Sequence, residues 1–143
     1  IGRCEAQGTK VDRELYSAGW QRGLLEYCTP ERGFDAGRSG QDYQGICPSH
    51  VEAAFLKRFK VGAEIAALDR KNAEIESQVD AKLRQLESLG KQNSDVPPTV
   101  LSDALKSDGQ KERQKELQQE LQRLRDLRAR NDLEIRDLES SSN

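Results

Sequence analysis

Two segments in the second half of the chain carry apolar residues at the heptad-like spacing of helices that pack along a narrow seam. The first seam consists of Ile65, Leu68, Asn72, Ile75, Val79, Lys82, Leu86 and Leu89. The second consists of Gln114, Leu117, Leu121, Leu124, Arg128, Asn131, Ile135 and Leu138. When the chain folds back so that partner positions sum to 203, four layers are apolar on both sides. The pattern therefore predicts a long antiparallel two-helix coiled-coil hairpin.

The same register brings Asn72 opposite Asn131. An asparagine buried against an apolar residue would lose hydrogen bonds, whereas two facing asparagines can recover some of them and fix the register. We therefore predict that Asn72 and Asn131 form a register-setting pair. Three further layers combine an apolar residue with a polar or charged one, as Ile75 does with Arg128. Because the pairing is thin, we expect the hairpin to need support from the rest of the chain or from a partner.

Three leucines lie off these seams: Leu83, Leu127 and Leu133. They either widen the intramolecular seam or form a candidate partner-facing stripe.

The charge balance narrows the class of partner. The chain of 143 residues is 34% hydrophobic and 34% charged, which fits helices that bury only one stripe. Its 23 basic and 25 acidic residues are mixed along the sequence, so that no basic face for nucleic acid is expected. No apolar run approaches the roughly 18 residues of a transmembrane helix. These features favour a protein partner, including a membrane complex, or a second copy of the chain.

A change of composition divides the chain into two regions. All seven aromatic residues lie between positions 16 and 59, and all three cysteines precede position 48. We predict an all-α protein with a small disulfide-stapled, Cys/Gly/aromatic-rich head at 1–62 and the hairpin stalk at 63–143. The turn of the hairpin is expected at about 91–109, between a helix ending near Leu89 and a final helix at about 110–139.

Within the head, apolar residues at helical spacing predict a helix over 12–27. Gly19 and Gly23 lie one turn apart on its face and predict a tight packing seam. The segment 29–45 is rich in glycine and predicts a connector with turns. Ser49 and Glu52 form a capping-box pattern that predicts the start of the long helix.

The cysteines allow two interpretations. Cys28 closes the first predicted helix and Cys47 precedes the next, so that a disulfide between them would staple the head and indicate an oxidising compartment such as the periplasm. Cys4 is then left over, either free, in an intermolecular bridge or competing for one of the other two. Alternatively, Cys4, Cys28, Cys47 and His50 form a Cys₃His metal-binding or redox site, since Cys47 and His50 have the spacing of a ligand pair.

Catalytic residues are not apparent. With one histidine and no nucleophile beside a base and an orienting partner, we predict neither enzymatic activity nor a cofactor. His50 is expected to be an ordinary residue of a first helical turn.

The head resembles a known family. Its run Tyr16-Ser-Ala-Gly-Trp-Gln-Arg-Gly-Leu-Leu-Glu-Tyr27-Cys28 continues through spaced glycines to Tyr43, Gly45 and Cys47-Pro48. Over about 4–62 this pattern resembles the bacterial envelope family catalogued as domain of unknown function 2799. The resemblance implies a Gram-negative envelope protein, often with an N-terminal lipid anchor, and no known activity. Arg3 precedes Cys4 where a lipoprotein cleavage motif needs a small residue, so we expect any anchor to be attached through a segment outside this sequence.

These features together predict a non-enzymatic structural or interaction protein of the cell envelope, in the periplasm or at the outer membrane. We expect an accessory subunit that docks on a larger pore, efflux, secretion or motility assembly. The alternatives are the metal-binding or redox module and a periplasmic spacer that self-associates.

Overall fold

The computed structural model of the chain describes residues 12–92 and 102–141. This part of the chain is all-helical, as predicted, with four helices and no strand. They are α1 (Arg13–Tyr27), α2 (Pro30–Arg38), α3 (Ser49–Gln92) and α4 (Ser102–Ser140). None of the helices in the described ranges is long and apolar enough to cross a bilayer.

α1 begins where the sequence predicts. The carboxylate of Asp12 accepts hydrogen bonds from the backbone N–H groups of Glu14 and Leu15, both at 3.0 Å, and so caps the helix. The helix ends at Tyr27, and the N–H of Cys28 donates to the carbonyl of Leu24 at 2.8 Å. No residue of α1 is buried, and most of its apolar side chains are exposed.

α2 corrects the predicted connector over 29–45. Thr29 caps this helix by accepting from the N–H of Arg32 at 3.3 Å, and Pro30 occupies the first turn, where its missing N–H is not needed. The connector is confined to 39–48, where Gly40 (φ 72°) and Gly45 (φ 68°) adopt the left-handed conformation that glycine permits. The predicted turns are therefore real, but a helix precedes them.

Contacts divide the chain into two compact units between Ala66 and Ala67, within α3. The sequence places this division after residue 62. In the first unit, called the head below, a buried cluster of Cys28, Ala36, Cys47 and Phe55 is flanked by Tyr43, Val51, Leu56 and Phe59. The ring of Phe55 is fully buried and lies 5.7 Å from that of Tyr27 and 5.2 Å from that of Tyr43. The head core is thus small and largely aromatic.

Close backbone contact between α2 and α3 depends on glycine. A Cβ on Gly33 would meet the carbonyl oxygen of Phe55, and one on Gly37 would meet that of Phe59, both closer than 3.0 Å. Gly62 of α3 meets α2 in the same way. Among the described residues the predicted packing seam at Gly19 and Gly23 is wrong, because none of them lies within 4 Å of the position that a Cβ would take at either glycine.

The second unit, 67–141, contains the rest of α3 and α4. Both helices extend into the predicted turn of 91–109: α3 continues to Gln92 and α4 begins at Ser102. Residues 93–101 lie outside the described part of the chain. Gly90 and Gly109 are helical, because a single glycine costs a helix only about 1 kcal/mol and does not end it. The two helices therefore continue further into 91–109 than the sequence indicates.

Candidate functional site

The predicted disulfide staples the head. Cys28 and Cys47 are bonded, with their Cα atoms 5.6 Å apart and both residues buried. The bond joins the end of α1 to the residues just before α3. Residues 19 apart in sequence are thereby held together at the centre of a small core.

This bond removes two sulfurs from the alternative Cys₃His ligand set, because a disulfide sulfur is not a thiolate ligand. His50 is the second residue of α3 and is exposed, as expected of a first-turn residue. Cys4 lies outside the described residues. Within 12–92 and 102–141 there is no group of three or more His, Cys, Asp or Glu residues that could hold a metal ion.

Tyr43 connects the disulfide to α3. Its phenol donates a hydrogen bond to the carboxylate of Glu52 (2.7 Å) and accepts one from the backbone N–H of Cys47 (3.0 Å). Instead of forming the predicted capping box with Ser49, Glu52 donates its backbone N–H to the carbonyl of Pro48 at 3.0 Å, and its carboxylate anchors the 39–48 connector through Tyr43. Desolvation raises the pKa of the Tyr43 phenol above its usual value, and the hydrogen bond to Glu52 raises it further.

We expect the head to lose stability at alkaline pH through Tyr43. Because the pKa of its phenol is higher in the folded head than in the unfolded chain, its contribution is fully present below pH 10.0 and is lost as the pH rises through the folded pKa. The measurement is urea unfolding of wild type and Tyr43→Phe between about pH 8 and about pH 11.5, a range that brackets the tyrosine pKa. Both carry Cys4→Ser to prevent thiolate exchange.

Tyr43→Phe should be less stable at pH 8, and the difference from wild type should shrink towards the alkaline end. Parallel loss of stability in the two proteins would show that ionisation of Tyr43 is not the cause.

The apolar face of α1 is an uncovered surface among the described residues of the head. It lines an open groove of about 500 Å³ together with Ile46. Leu15 is 72% exposed, Trp20 55% and Tyr16 48%, fractions far above those of ordinary core residues. Side chains of this size at helical spacing on one face form a surface suited to binding another macromolecule.

In the second unit, Asn72 and Asn131 are hydrogen-bonded to each other. The amide of Asn131 donates to the side-chain oxygen of Asn72 at 2.8 Å, and Asn131 is buried. The amide of Asn72 donates in turn to the carboxylate of Asp132 at 2.7 Å. Their role in setting the register stays a prediction, but their contact is direct.

Charged residues at seam positions pair with carboxylates on the other helix. Lys82 lies 2.7 Å from Glu120, and Arg128 lies 2.7 Å from Glu76. The hydrogen bond from Lys82 lowers the pKa of Glu120. The long side chains thus cross the seam with their charged ends at its edge.

The three leucines of the candidate stripe are exposed: Leu83 by 43%, Leu127 by 45% and Leu133 by 57%. They therefore do not widen the buried seam. Leu127 and Leu133 are six residues apart, which places them about 120° apart around α4, so one partner would have to cover two sides of the helix. The partner-facing stripe itself stays a prediction.

The head corresponds to a known family. Residues 2–64 match the family model described as "Protein of unknown function (DUF2799)". This confirms the resemblance that the sequence motifs indicate. No curated protein and no solved structure matches the chain.

The DUF2799 match ends two residues before the structural division at Ala66 and Ala67. It therefore covers the disulfide, the α2–α3 crossing and the exposed face of α1, while the second unit lies outside it.

Sequence reasoning missed two features that matter for these sites. The Gly33/Gly37 pair does not stand out in the sequence because glycine is also the residue of turns, although Thr29-Pro30 is a helix-start signal. Asp132 does not stand out because it lies off the seam, one residue beyond Asn131.

Proposed function

We propose that this chain is a non-enzymatic structural and interaction protein of the bacterial cell envelope. In this proposal it lies in the periplasm, associated with the outer membrane, and serves as an accessory subunit of a larger pore, efflux, secretion or motility assembly. The observation that carries the proposal is the apolar surface: nine large hydrophobic side chains of the described residues are exposed, in both units. Such surface favours a protein partner.

The compartment is argued from the disulfide. A buried bridge in so small a core contributes a large share of its stability, and such bridges persist in oxidising compartments. The periplasm is the oxidising compartment that fits the resemblance to an envelope family.

We further infer that the second unit is an antiparallel helical hairpin. Three side-chain contacts support this inference: Asn72 with Asn131, Lys82 with Glu120, and Glu76 with Arg128. Their positions sum to 203, 202 and 204, whereas their differences vary from 38 to 59. A constant sum is the signature of antiparallel neighbours, so the contacts fit the register that the two seams predict.

Engineered cysteines test the hairpin. In a Cys4→Ser background, Val79→Cys with Leu124→Cys should form a disulfide within one chain, because these positions face each other in the proposed register. The matched control is Val79→Cys with Ile135→Cys, displaced by about 16 Å along α4. Peptide mass spectrometry under non-reducing conditions should find the first bridge at least ten times more abundant than the second. Equal crosslinking, or none in the first pair, contradicts the hairpin.

Docking is tested in cells. A photocrosslinking residue replaces Leu127 in one variant and Gln118 in a control, since Gln118 is also exposed on α4 but lies half a turn away. We expect a discrete envelope protein to be captured at 127 and not at 118. Equal capture at both positions, or no product at either, would contradict docking through this surface.

The compartment is tested by expressing the chain in a Gram-negative host and separating its cell fractions. We expect the chain in the periplasmic or membrane fraction, with Cys28 and Cys47 protected from alkylation until a reductant is added. A cytoplasmic protein with both thiols reduced would overturn the envelope assignment.

A further inference from the structure

The face of α1 combines large exposed side chains with two glycines. Gly19 and Gly23 lie between the rings of Tyr16, Trp20 and Tyr27, and all five line the same groove. Each glycine lies inside a helix, where it is less favourable than alanine, and no residue of the described ranges lies within 4 Å of where its Cβ would be. The two glycines therefore permit a close approach that no group of residues 12–92 and 102–141 makes.

A second glycine pair in the head shows that this four-residue spacing allows two helices to pack closely. Gly33 and Gly37 are also four residues apart, and they admit the backbone carbonyls of Phe55 and Phe59. The glycine pair of α1 has the same geometry and is open, so it is suited to receive another helix.

α1 is complementary to itself. When a second α1 lies antiparallel with facing positions summing to 39, Trp20 of each copy faces Gly19 of the other. Tyr16 likewise faces Gly23. The largest side chains thus meet the open positions of the second copy, which is the self-complementary arrangement that a two-fold dimer requires.

The charges of α1 do not oppose this register, in which Leu15 of one copy lies level with Leu24 of the other. α1 carries two basic and two acidic residues in all, a balance that suits contact with an identical helix. A helix lying on a membrane surface would instead carry a polar face rich in lysine and arginine.

The exposed apolar side chains of α1 supply the area that a second copy would cover. Leu15 is 72% exposed, Trp20 55% and Tyr16 48%, and a two-fold dimer covers the same side chains on both copies, so that each contributes twice to the buried area. We propose that α1 is the interface of a homodimer whose two helices cross at Gly19 and Gly23. This goes beyond docking on an envelope assembly and does not depend on it.

Analytical ultracentrifugation of the purified full-length chain, from about 1 µM to about 500 µM, tests the dimer. The chain carries Cys4→Ser so that no intermolecular disulfide contributes. We expect a reversible monomer–dimer equilibrium. Trp20→Ala should weaken it at least tenfold, and because Trp20 is more than half exposed the monomer should remain folded.

Gly19→Ala separates the interface from a general effect on stability. It should weaken the dimer at least tenfold, because the added methyl group occupies the position that faces Trp20 of the second copy. In the monomer it should strengthen α1 and slow its amide hydrogen exchange about fivefold. The matched control is Leu133→Ala, another exposed apolar side chain, which should leave association unchanged.

Three results would overturn the proposal. The first is a monomer at every concentration. The second is a dimer that tolerates Trp20→Ala and Gly19→Ala, or that is lost in Leu133→Ala, which would place association in the second unit. The third is a monomer that sediments with phosphatidylethanolamine–phosphatidylglycerol vesicles and loses this binding in Trp20→Ala, which would make α1 a membrane-surface helix.

Discussion

Replacing Gly37 with alanine is expected to destabilise the head by about 2 kcal/mol, since an overpacking cost of up to about 3 kcal/mol exceeds the gain of about 1 kcal/mol in helix propensity. The new Cβ would lie closer than 3.0 Å to the carbonyl oxygen of Phe59 and to the backbone nitrogen of Ala63. These are backbone atoms, which cannot rotate away as a side chain can. α2 would have to move off α3, and the core around Phe55 would loosen.

Urea unfolding followed by near-ultraviolet circular dichroism measures this effect, because the signal depends on the packed rings of Tyr27 and Tyr43. Gly109→Ala is the matched control: Gly109 is also helical, but no residue that the structure describes lies within 4 Å of where its Cβ would be. That substitution should stabilise α4, read in the far ultraviolet, by about 1 kcal/mol. If the same change, glycine to alanine, destabilises the head at position 37 and stabilises α4 at position 109, α2 packs closely on α3 at Gly37. An unchanged urea midpoint for Gly37→Ala would contradict this close packing.

The pairs Gly19/Gly23 and Gly33/Gly37 show which part of the packing could not be predicted from the sequence. Both have the same four-residue spacing, and the sequence assigns the packing seam to Gly19 and Gly23. The structure packs Gly33 and Gly37 instead. Which helix is packed depends on where the connector and the disulfide direct α2, and that is set by tertiary contacts rather than by local pattern. The start of α2 could have been predicted from local sequence, because a capping threonine followed by proline is a recognised helix start.

Features governed by short-range rules were predictable. The Asp12 cap fixes the start of α1, and α3 begins at Ser49 as its sequence indicates. The spacing of Leu68, Ile75 and Leu117 identified residues that are in fact buried. By contrast, the helix ends around 91–109 were not predictable, because glycine weakens a helix by an amount that neighbouring residues can offset.

The contact between Asn72 and Asn131 was predicted from two sequence positions that are 59 residues apart. This contact was predictable because a polar residue at an apolar seam position requires a partner, and the register supplied one candidate. The hydrogen bond from Asn72 to Asp132 was not predictable, since it depends on how far the Asn72 amide extends past the seam. The spacing of seam residues therefore predicted the asparagine pair, but not the hydrogen bond that extends from it to Asp132.

Removing the disulfide is expected to destabilise the head by about 3 kcal/mol, the value that loss of loop-closure entropy gives for a loop of this length. Cys28→Ala with Cys47→Ala, in a Cys4→Ser background, should lower the thermal midpoint of the head by about 15 °C. The near-ultraviolet signal of the aromatic core should be lost in that transition. The helical signal of the second unit should persist above the temperature at which the head unfolds. The second unit is held by buried leucines and by the asparagine pair, and it contains no cysteine.

Reduction of the Cys4→Ser chain by dithiothreitol separates the covalent bond from the packing of the sulfurs, since it breaks the bond and leaves both side chains in place. It should reproduce most of the loss, because both residues are already buried and the main change is the freedom of the unfolded chain. A head that unfolds at the same temperature with and without the bridge would contradict a stapling role. It would also remove the physical reason for placing this protein in an oxidising compartment.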